Sequence, residues 1–262
     1  MEKSNNEVSP ENNAPKASPK TAKKSVKNKG AKIKAKLLNT YYGHPLKDMK
    51  LICITGTAGK VEVAHFVYEI LKAAGHPVEL LASENNIKLG TLHKFLSQSW
   101  KAGANYVVVT APAESLKNNV FYGLPVYVAA MTDFLPASLD AMSPEEYSAS
   151  ESTLFKMNPD VVVLNEDDTN FSQFSRFVGH TDTLTYGTTR SATLRIDGAK
   201  LYKKGTEASL SLGSSRFSVA SFLTGEPIVS YMACAAAVAT SLHIANDVIA
   251  DGIANYNPDH VE

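Results

Sequence analysis

The sequence predicts an α/β protein: a three-layer α/β/α domain of the P-loop type with a mostly parallel sheet, plus a small antiparallel β-meander. Three observations predict this class. Short, wholly apolar runs, typical of strands buried on both faces, alternate with segments of helical spacing. One strand–helix junction, Leu51–Val63, contains the glycine-rich turn of a phosphate-binding loop. After about residue 192, short alternating segments follow one another without intervening helices.

Strands and helices are predicted to alternate along the middle of the chain. Strands rich in Val, Ile and Leu are predicted at Leu51–Thr55, Val78–Leu81, Tyr106–Thr110, Val126–Met131 and Val161–Leu164, of which the first and the last are expected to be buried. The helices, whose apolar residues lie three and four positions apart, are predicted at Val61–Ala74, Leu89–Ala102, Pro144–Met157, Ile228–Ile244 and 246–254. Because helices separate the apolar strands, the sheet is expected to be parallel and covered on both faces.

The meander is predicted from four short alternating segments, at 192–196, 199–203, 207–212 and 215–220. Asp197-Gly198 is a strong hairpin signal, because both residues tolerate the backbone angles of a tight turn. Gly205 and Gly213 mark two further turns.

Charge is unevenly distributed, although the net charge is zero. Residues 1–36 hold ten Lys and three acidic residues, which gives +7, so the remainder carries −7. With almost nothing to bury, residues 1–36 are predicted to be a disordered basic tail, followed by one domain over 37–262. Two roles for the tail remain open, a solvated tail or an arm that contacts an anionic surface or nucleic acid. No aromatic residue lies among these lysines, so base stacking is not indicated.

Several classes of protein are not expected. Cys53 and Cys234 both lie in apolar runs, and no Cys/His spacing suits a metal ion, so neither a disulfide framework nor a metal site is predicted. The first thirty residues lack the apolar core of a secretory signal, and no run of 18 apolar residues exists. A cytoplasmic protein without a transmembrane segment is therefore expected.

The predicted nucleotide-binding residues are Gly56, Thr57, Gly59 and Lys60, in the turn between the first strand and the first helix. Backbone N–H groups at a helix N-terminus favour anions, and Lys60 adds a positive charge. The next residue is Val61, where a hydroxyl that binds the magnesium of the nucleotide is expected. The alternative interpretation is an inherited strand–turn–helix connection with a solvated lysine.

The order of these motifs resembles the central, ATP-binding domain of the Mur ligase family over about residues 50–262. It is most similar to the UDP-N-acetylmuramoyl-tripeptide synthetase branch. The segments that carry the resemblance are Ile54–Val61, Thr110–Phe134, Tyr147–Phe155, Asn165–Asp168, Tyr186-Gly187 and Leu223–Glu226. The resemblance implies ATP as cofactor, phosphorylation of a carboxylate, and attack of an amino acid on the acyl phosphate to form an amide of the peptidoglycan precursor.

The resemblance also implies which positions should carry the chemistry, and most of them differ here. In the family, a loop hydroxyl, a glutamate and a histidine reach metal ions, and a carbamylated lysine bridges to a second metal. The corresponding residues of this chain are, in that order, Val61, Thr110, Ser138 and Glu151. The two asparagines of the family's adenine contact region correspond to Ile228 and Tyr231. No catalytic residue and no metal ligand is therefore predicted, and the binding of Mg²⁺ is left open.

Four polar residues remain as candidates for a residual site: Glu151, Asn165, Asp167 and Asp168. Glu151 offers an anionic pair of oxygens, as a carbamylated lysine does. Asp167 and Asp168 suit either magnesium or a cap of the helix that follows, and both interpretations stay open.

The leading hypothesis is a degenerate, catalytically silent Mur-ligase-like domain that acts as a binding or assembly subunit beside an active ligase or another cell-wall enzyme. It includes the expectation that the family's N-terminal UDP-sugar domain and C-terminal amino-acid domain are absent. The first alternative is an ATP-dependent, ADP-forming acid–amino acid ligase with a reduced or partner-completed site. The second is an adaptor for nucleic acid or membrane, in which the basic tail is primary.

Overall fold

A nine-stranded sheet runs through the part of the chain that this computed structural model describes, residues 19–135, 142–178 and 181–258. The strands are β1 (Lys50–Thr55), β2 (Val78–Leu81), β3 (Tyr106–Thr110), β4 (Val128–Met131), β5 (Val161–Asn165), β6 (Asp182–Gly187), β7 (Leu194–Tyr202), β8 (Gly205–Leu212) and β9 (Ser215–Ser221). The helices are α1 (Pro19–Tyr41), α2 (Lys60–Ala73), α3 (Leu89–Lys101), α4 (Ala113–Lys117), α5 (Pro144–Phe155), α6 (Phe171–Ser175), α7 (Glu226–Ser241) and α8 (Asn246–Asn255).

The strand order is β2-β3-β1-β4-β5-β6-β7-β8-β9. Strands β1 to β6 all pair in parallel with their neighbours in the sheet, and β6 also pairs in parallel with β7. Strands β7, β8 and β9 are antiparallel and extend the same sheet. The first strand lies between β3 and β4, so the chain reverses direction across the sheet at the carboxyl end of β1, where α/β proteins of this kind place their ligands.

Alternate residues of the central strands enter two apolar layers, one on each face of the sheet. Ile52 and Ile54 belong to the layer that contains α2, α7 and α8. Leu51 and Cys53 belong to the opposite layer, which contains residues of α3, α4 and α5. The predicted three-layer fold with an appended meander is therefore confirmed.

The hairpin predicted at Asp197-Gly198 is wrong. Strand β7 continues through these residues, and its pairing with β8 is irregular between Ile196 and Gly198. The Asp197 carboxylate accepts hydrogen bonds from Ser211 of β8 and from Arg195, so the extra residue is held as a bulge within the strand. The chain turns instead at residues 203–204.

The prediction of disorder over residues 1–36 is corrected for residues 19–36, which belong to α1; residues 1–18 lie outside the described residues. Lysine and alanine are good helix formers, and the end of the helix also packs on the domain. Ala35 is fully buried, and the Lys32 ammonium lies 4.7 Å from the centroid of the Tyr122 ring. Among the described helices, none combines the length and apolar character needed to cross a membrane.

Candidate functional site

The residues predicted to bind nucleotide lie together, in the loop between β1 and α2. Two of them need to be glycine. Gly56 has a φ of 129°, and a Cβ there would lie 2.1 Å from Thr132 Oγ1. Gly59 caps α2 with a φ of 74°, and a Cβ there would lie 2.2 Å from the Tyr231 ring. The loop is thus a tight turn, held between the end of β4 and a side chain of α7.

The backbone N–H groups of the loop are occupied by a carboxylate of the protein itself. Thr57 N and Ala58 N lie 3.2 and 3.0 Å from Asp133 Oδ1. Burial raises the pKa of Asp133, whereas hydrogen bonds from these amides and the charge of Lys60 lower it. Asp133 was not predicted as a site residue. The available signal was its place in the Thr132-Asp133-Phe134 stretch, where the family has Thr-Asn-Leu.

Lys60 is not a solvated lysine, so that part of the alternative interpretation is wrong. It is only 4% exposed, because it begins α2 beneath the loop. Its ammonium donates to the Thr57 carbonyl at 3.1 Å and pairs with Glu84 Oε2 at 3.1 Å. Glu84, which the sequence did not suggest, therefore neutralises the charge that a phosphate would use.

Glu151 lies at the base of the loop and is fully buried. The Thr55 hydroxyl has one hydrogen but two acceptors within reach, the Ala111 carbonyl at 2.7 Å and Glu151 Oε2. Glu151 Oε1 has no hydrogen-bond partner among the described residues. Burial raises the pKa of Glu151 to about 7, against the lowering effects of Thr55, Tyr147 and Lys60. A protonated Glu151 can supply the second hydrogen that its contact with Thr55 requires.

Two threonines near the loop are engaged in hydrogen bonds: Thr110 with Ser83, which follows β2, and Thr132 with Ala58 of the loop itself. Thr110 Oγ1 accepts from Ser83 N at 2.8 Å and donates to the Ser83 carbonyl at 2.9 Å. Thr132 Oγ1 donates to the Ala58 carbonyl at 2.6 Å. Val61 has no oxygen in its side chain and Thr110 is engaged with Ser83, so these two positions, which correspond to metal contacts of the family, do not fit a magnesium ion. The position of the family's metal-binding histidine, Ser138, lies outside the described residues.

The remaining polar candidates form turns next to the loop. Asn165 Nδ2 donates to the Thr132 carbonyl at 3.3 Å. Asp167 accepts from the amide and hydroxyl of Thr188, at 2.7 and 3.1 Å. Asp168 accepts from Phe134 N at 2.5 Å and from Asn170 N at 2.7 Å, at the start of α6. The two aspartates thus hold backbone in place. Over the residues that the structure describes, no three His, Cys, Asp or Glu side chains cluster as metal ligands.

The sequence profile of the Mur ligase middle domain matches residues 54–239 of this chain. The 2,6-diaminopimelate ligase of Bacillus licheniformis, which acts on UDP-N-acetylmuramoyl-L-alanyl-D-glutamate, is 29% identical over 241 residues. That match covers 84% of this chain and 49% of the relative. The enzyme of the same name from Solibacter usitatus is 29% identical over 234 residues, which cover 82% and 47% of the two chains. The chain therefore spans about half the length of these relatives.

Solved structures agree with the fold. A UDP-N-acetylmuramoyl-L-alanyl-D-glutamate–2,6-diaminopimelate ligase superposes with a TM-score of 0.77 at 20% identity, over 87% of this chain and 50% of the other. The MurF ligase of Thermotoga maritima in complex with ADP superposes with a TM-score of 0.65 at 17% identity, over 85% and 52%. The match of the profile to most of the chain confirms the resemblance seen in the motifs. The chain belongs to the Mur ligase family, of which it contains the middle domain.

Proposed function

We propose that this domain serves peptidoglycan-precursor metabolism as a binding or assembly subunit and is silent in amide formation. The observation that carries the proposal is the contact of the Asp133 carboxylate with the amides of Thr57 and Ala58. A nucleotide phosphate has to displace this internal anion before it reaches the same N–H groups. The amides that would bind a phosphate are therefore already occupied by a side chain of the protein itself.

The charges around the loop support a silent site. Phosphoryl transfer is accelerated mainly by positioning and by cations that stabilise the developing negative charge. Here the nearest cation, Lys60, is paired with Glu84, and a further carboxyl group, Asp133, lies against the loop. The local balance of charge thus opposes a triphosphate rather than attracting it.

One observation favours the alternative, an ATP-dependent acid–amino acid ligase with a reduced or partner-completed site. Lys60 keeps its ammonium beside the loop, and its partner Glu84 is more than half exposed, so the pair can open towards solvent. In addition, the first N–H groups of α2 have no acceptor within the helix itself. A nucleotide that displaces both Asp133 and Glu84 would find these donors.

Calorimetric titration with ATP and ADP, with and without Mg²⁺, tests whether the loop is closed. We expect no binding by the unmodified protein at millimolar nucleotide. Asp133→Asn should raise the affinity about tenfold or more, because it weakens two charge-assisted hydrogen bonds, from Thr57 N and Ala58 N, by about 1 kcal/mol each. Lys60→Ala in the Asp133→Asn background should abolish this gain, whereas Lys101→Ala, which removes an exposed lysine of α3, should leave it unchanged.

Release of ADP tests catalytic silence directly. The protein is incubated with ATP and with UDP-N-acetylmuramoyl-L-alanyl-D-glutamate and 2,6-diaminopimelate, the two compounds that the relatives' names specify. We expect no ADP above background. ADP release by the unmodified protein that is lost in Lys60→Ala but kept in Lys101→Ala would contradict the proposal. It would establish the ligase alternative.

A further inference from the structure

Helix α1 carries an exposed apolar stripe. Ile33, Leu37 and Tyr41 are 60%, 65% and 80% exposed, and their spacing of four residues places them on one face of the helix. The other side of α1 packs on the domain through the buried Ala35 and through Lys32, which lies over the Tyr122 ring. The stripe therefore points away from the domain, and no described residue covers it.

The stripe lies within a strongly basic helix. Residues 19–41 contain eight Lys and neither Asp nor Glu. At 100° per residue, Lys29 and Lys36 border the stripe on one side and Lys34 borders it on the other, and all three are exposed. An apolar strip with lysines on both sides is the pattern of helices that lie at a membrane interface.

We propose that α1 docks on an anionic lipid bilayer, with its axis in the membrane plane and Ile33, Leu37 and Tyr41 inserted between headgroups and acyl chains. The lysines along both borders then meet the lipid phosphates, to which juxtamembrane basic segments are attracted. The rest of the chain carries −8 against the +8 of α1 and is repelled by the same surface, so α1 forms the contact.

Other occupants fit these features less well. Nucleic acid offers phosphates to the lysines but no apolar region for Ile33 and Leu37. A second copy of α1 would cover the stripe but would bring two sets of eight lysines together without an intervening acid. A bilayer with anionic headgroups satisfies both the charge and the apolar stripe.

Flotation of the full chain with vesicles tests the docking, independently of any nucleotide. We expect binding to vesicles of phosphatidylcholine mixed with phosphatidylglycerol, and none to phosphatidylcholine alone. Ile33→Gln/Leu37→Gln should lower the vesicle affinity at least about tenfold, because two buried apolar side chains are lost. The matched control is Leu201→Gln, which replaces a side chain 55% exposed on β7 and should bind as the unmodified protein does.

Two double variants test whether the lysines of α1 contribute to vesicle binding. Lys34→Gln/Lys36→Gln should weaken binding and reduce its dependence on salt, whereas Lys203→Gln/Lys204→Gln, in the turn after β7, should not. Circular dichroism of each variant establishes that the fold is retained. If both double variants lose the same vesicle affinity, the role of α1 is overturned, because binding then depends only on the total charge of the protein.

Insertion is measured with a single fluorophore. Trp100 is the only tryptophan of the sequence, so Tyr41→Trp in a Trp100→Phe background places the reporter on the stripe. We expect a blue shift of its emission with anionic vesicles, and quenching by lipids with brominated acyl chains. Three results would overturn the proposal: absent vesicle binding, tighter binding to duplex DNA that ignores Ile33→Gln/Leu37→Gln, or a dimer that this double variant dissociates.

Discussion

At the scale of single residues, Glu151 makes the stability of the domain depend on pH. Its pKa rises from 4.5 to about 7 on folding because the carboxyl group is buried. The folded protein therefore holds the proton more tightly than the unfolded chain does. This stabilisation is fully present below about pH 4.5, declines as pH rises, and is lost above about pH 7. Its size is on the order of 3 kcal/mol.

We predict that Glu151→Gln removes this decline, because the amide does not ionise. The measurement is the free energy of unfolding in urea, determined at several pH values across the interval from 4.5 to about 7. Glu114→Gln, an exposed glutamate of α4, serves as control and should keep the decline of the unmodified protein. If the free energy of unfolding falls equally with pH in the unmodified protein and in Glu151→Gln, protonation of Glu151 is not linked to folding.

Single residues also mark the limit of what the sequence predicts about the site. The glycines and Lys60 were identified because a phosphate-binding loop needs them at fixed spacing within one short segment. Asp133 and Glu84 were missed because their contacts with the loop join residues 24 to 76 positions apart along the chain. A sequence motif records local geometry, whereas the internal anion of this loop is a tertiary contact.

At the scale of secondary-structure elements, the backbones of α2 and α8 approach each other closely at Gly252. A Cβ there would lie 2.3 Å from Ile70 Cα and 2.7 Å from Ile70 N, so the backbone of α2 itself would have to move. We predict that Gly252→Ala lowers the free energy of unfolding by about 1–3 kcal/mol, although alanine normally favours helices.

The control is Gly90→Ala in α3, where a Cβ would meet open space. It should leave stability unchanged or raise it by up to about 1 kcal/mol, because only the helix propensity changes. Thermal or urea unfolding of both variants measures the difference. Gly252→Ala at least as stable as the unmodified protein would show that the two helices separate at little cost.

Elements were predicted well where one apolar pattern decides the structure. Strands β2 and β3 begin and end as predicted, because both are short runs rich in Val or Leu that are bounded by turn residues. Strand β6 was missed since its first two residues are exposed and polar, and it is a strand because it pairs with β5. The helix α1 was missed because its residues were judged by what they bury, not by the helix-forming tendency of Lys and Ala.

At the scale of the whole molecule, the two apolar layers share one sheet. Every central strand sends neighbouring side chains into both layers, as Cys53 and Ile54 of β1 do. If one layer loses its packing, the strands that it covers lose support, and the same strands carry the side chains of the other layer. Because the layers share their strands, we expect both to open in one cooperative transition, as small single domains do.

The two cysteines report on this cooperativity, because Cys53 lies in one layer and Cys234 in the other, both free and fully buried. Burial raises the pKa of both thiols, so thiolate forms only on opening. We predict that iodoacetamide labels both at one rate, which rises equally with urea, as peptide mass spectrometry can follow. Ser214→Cys, in an exposed turn, should react at once. Faster labelling of Cys53 in low urea would mean that its layer opens while the α2–α7–α8 layer stays packed.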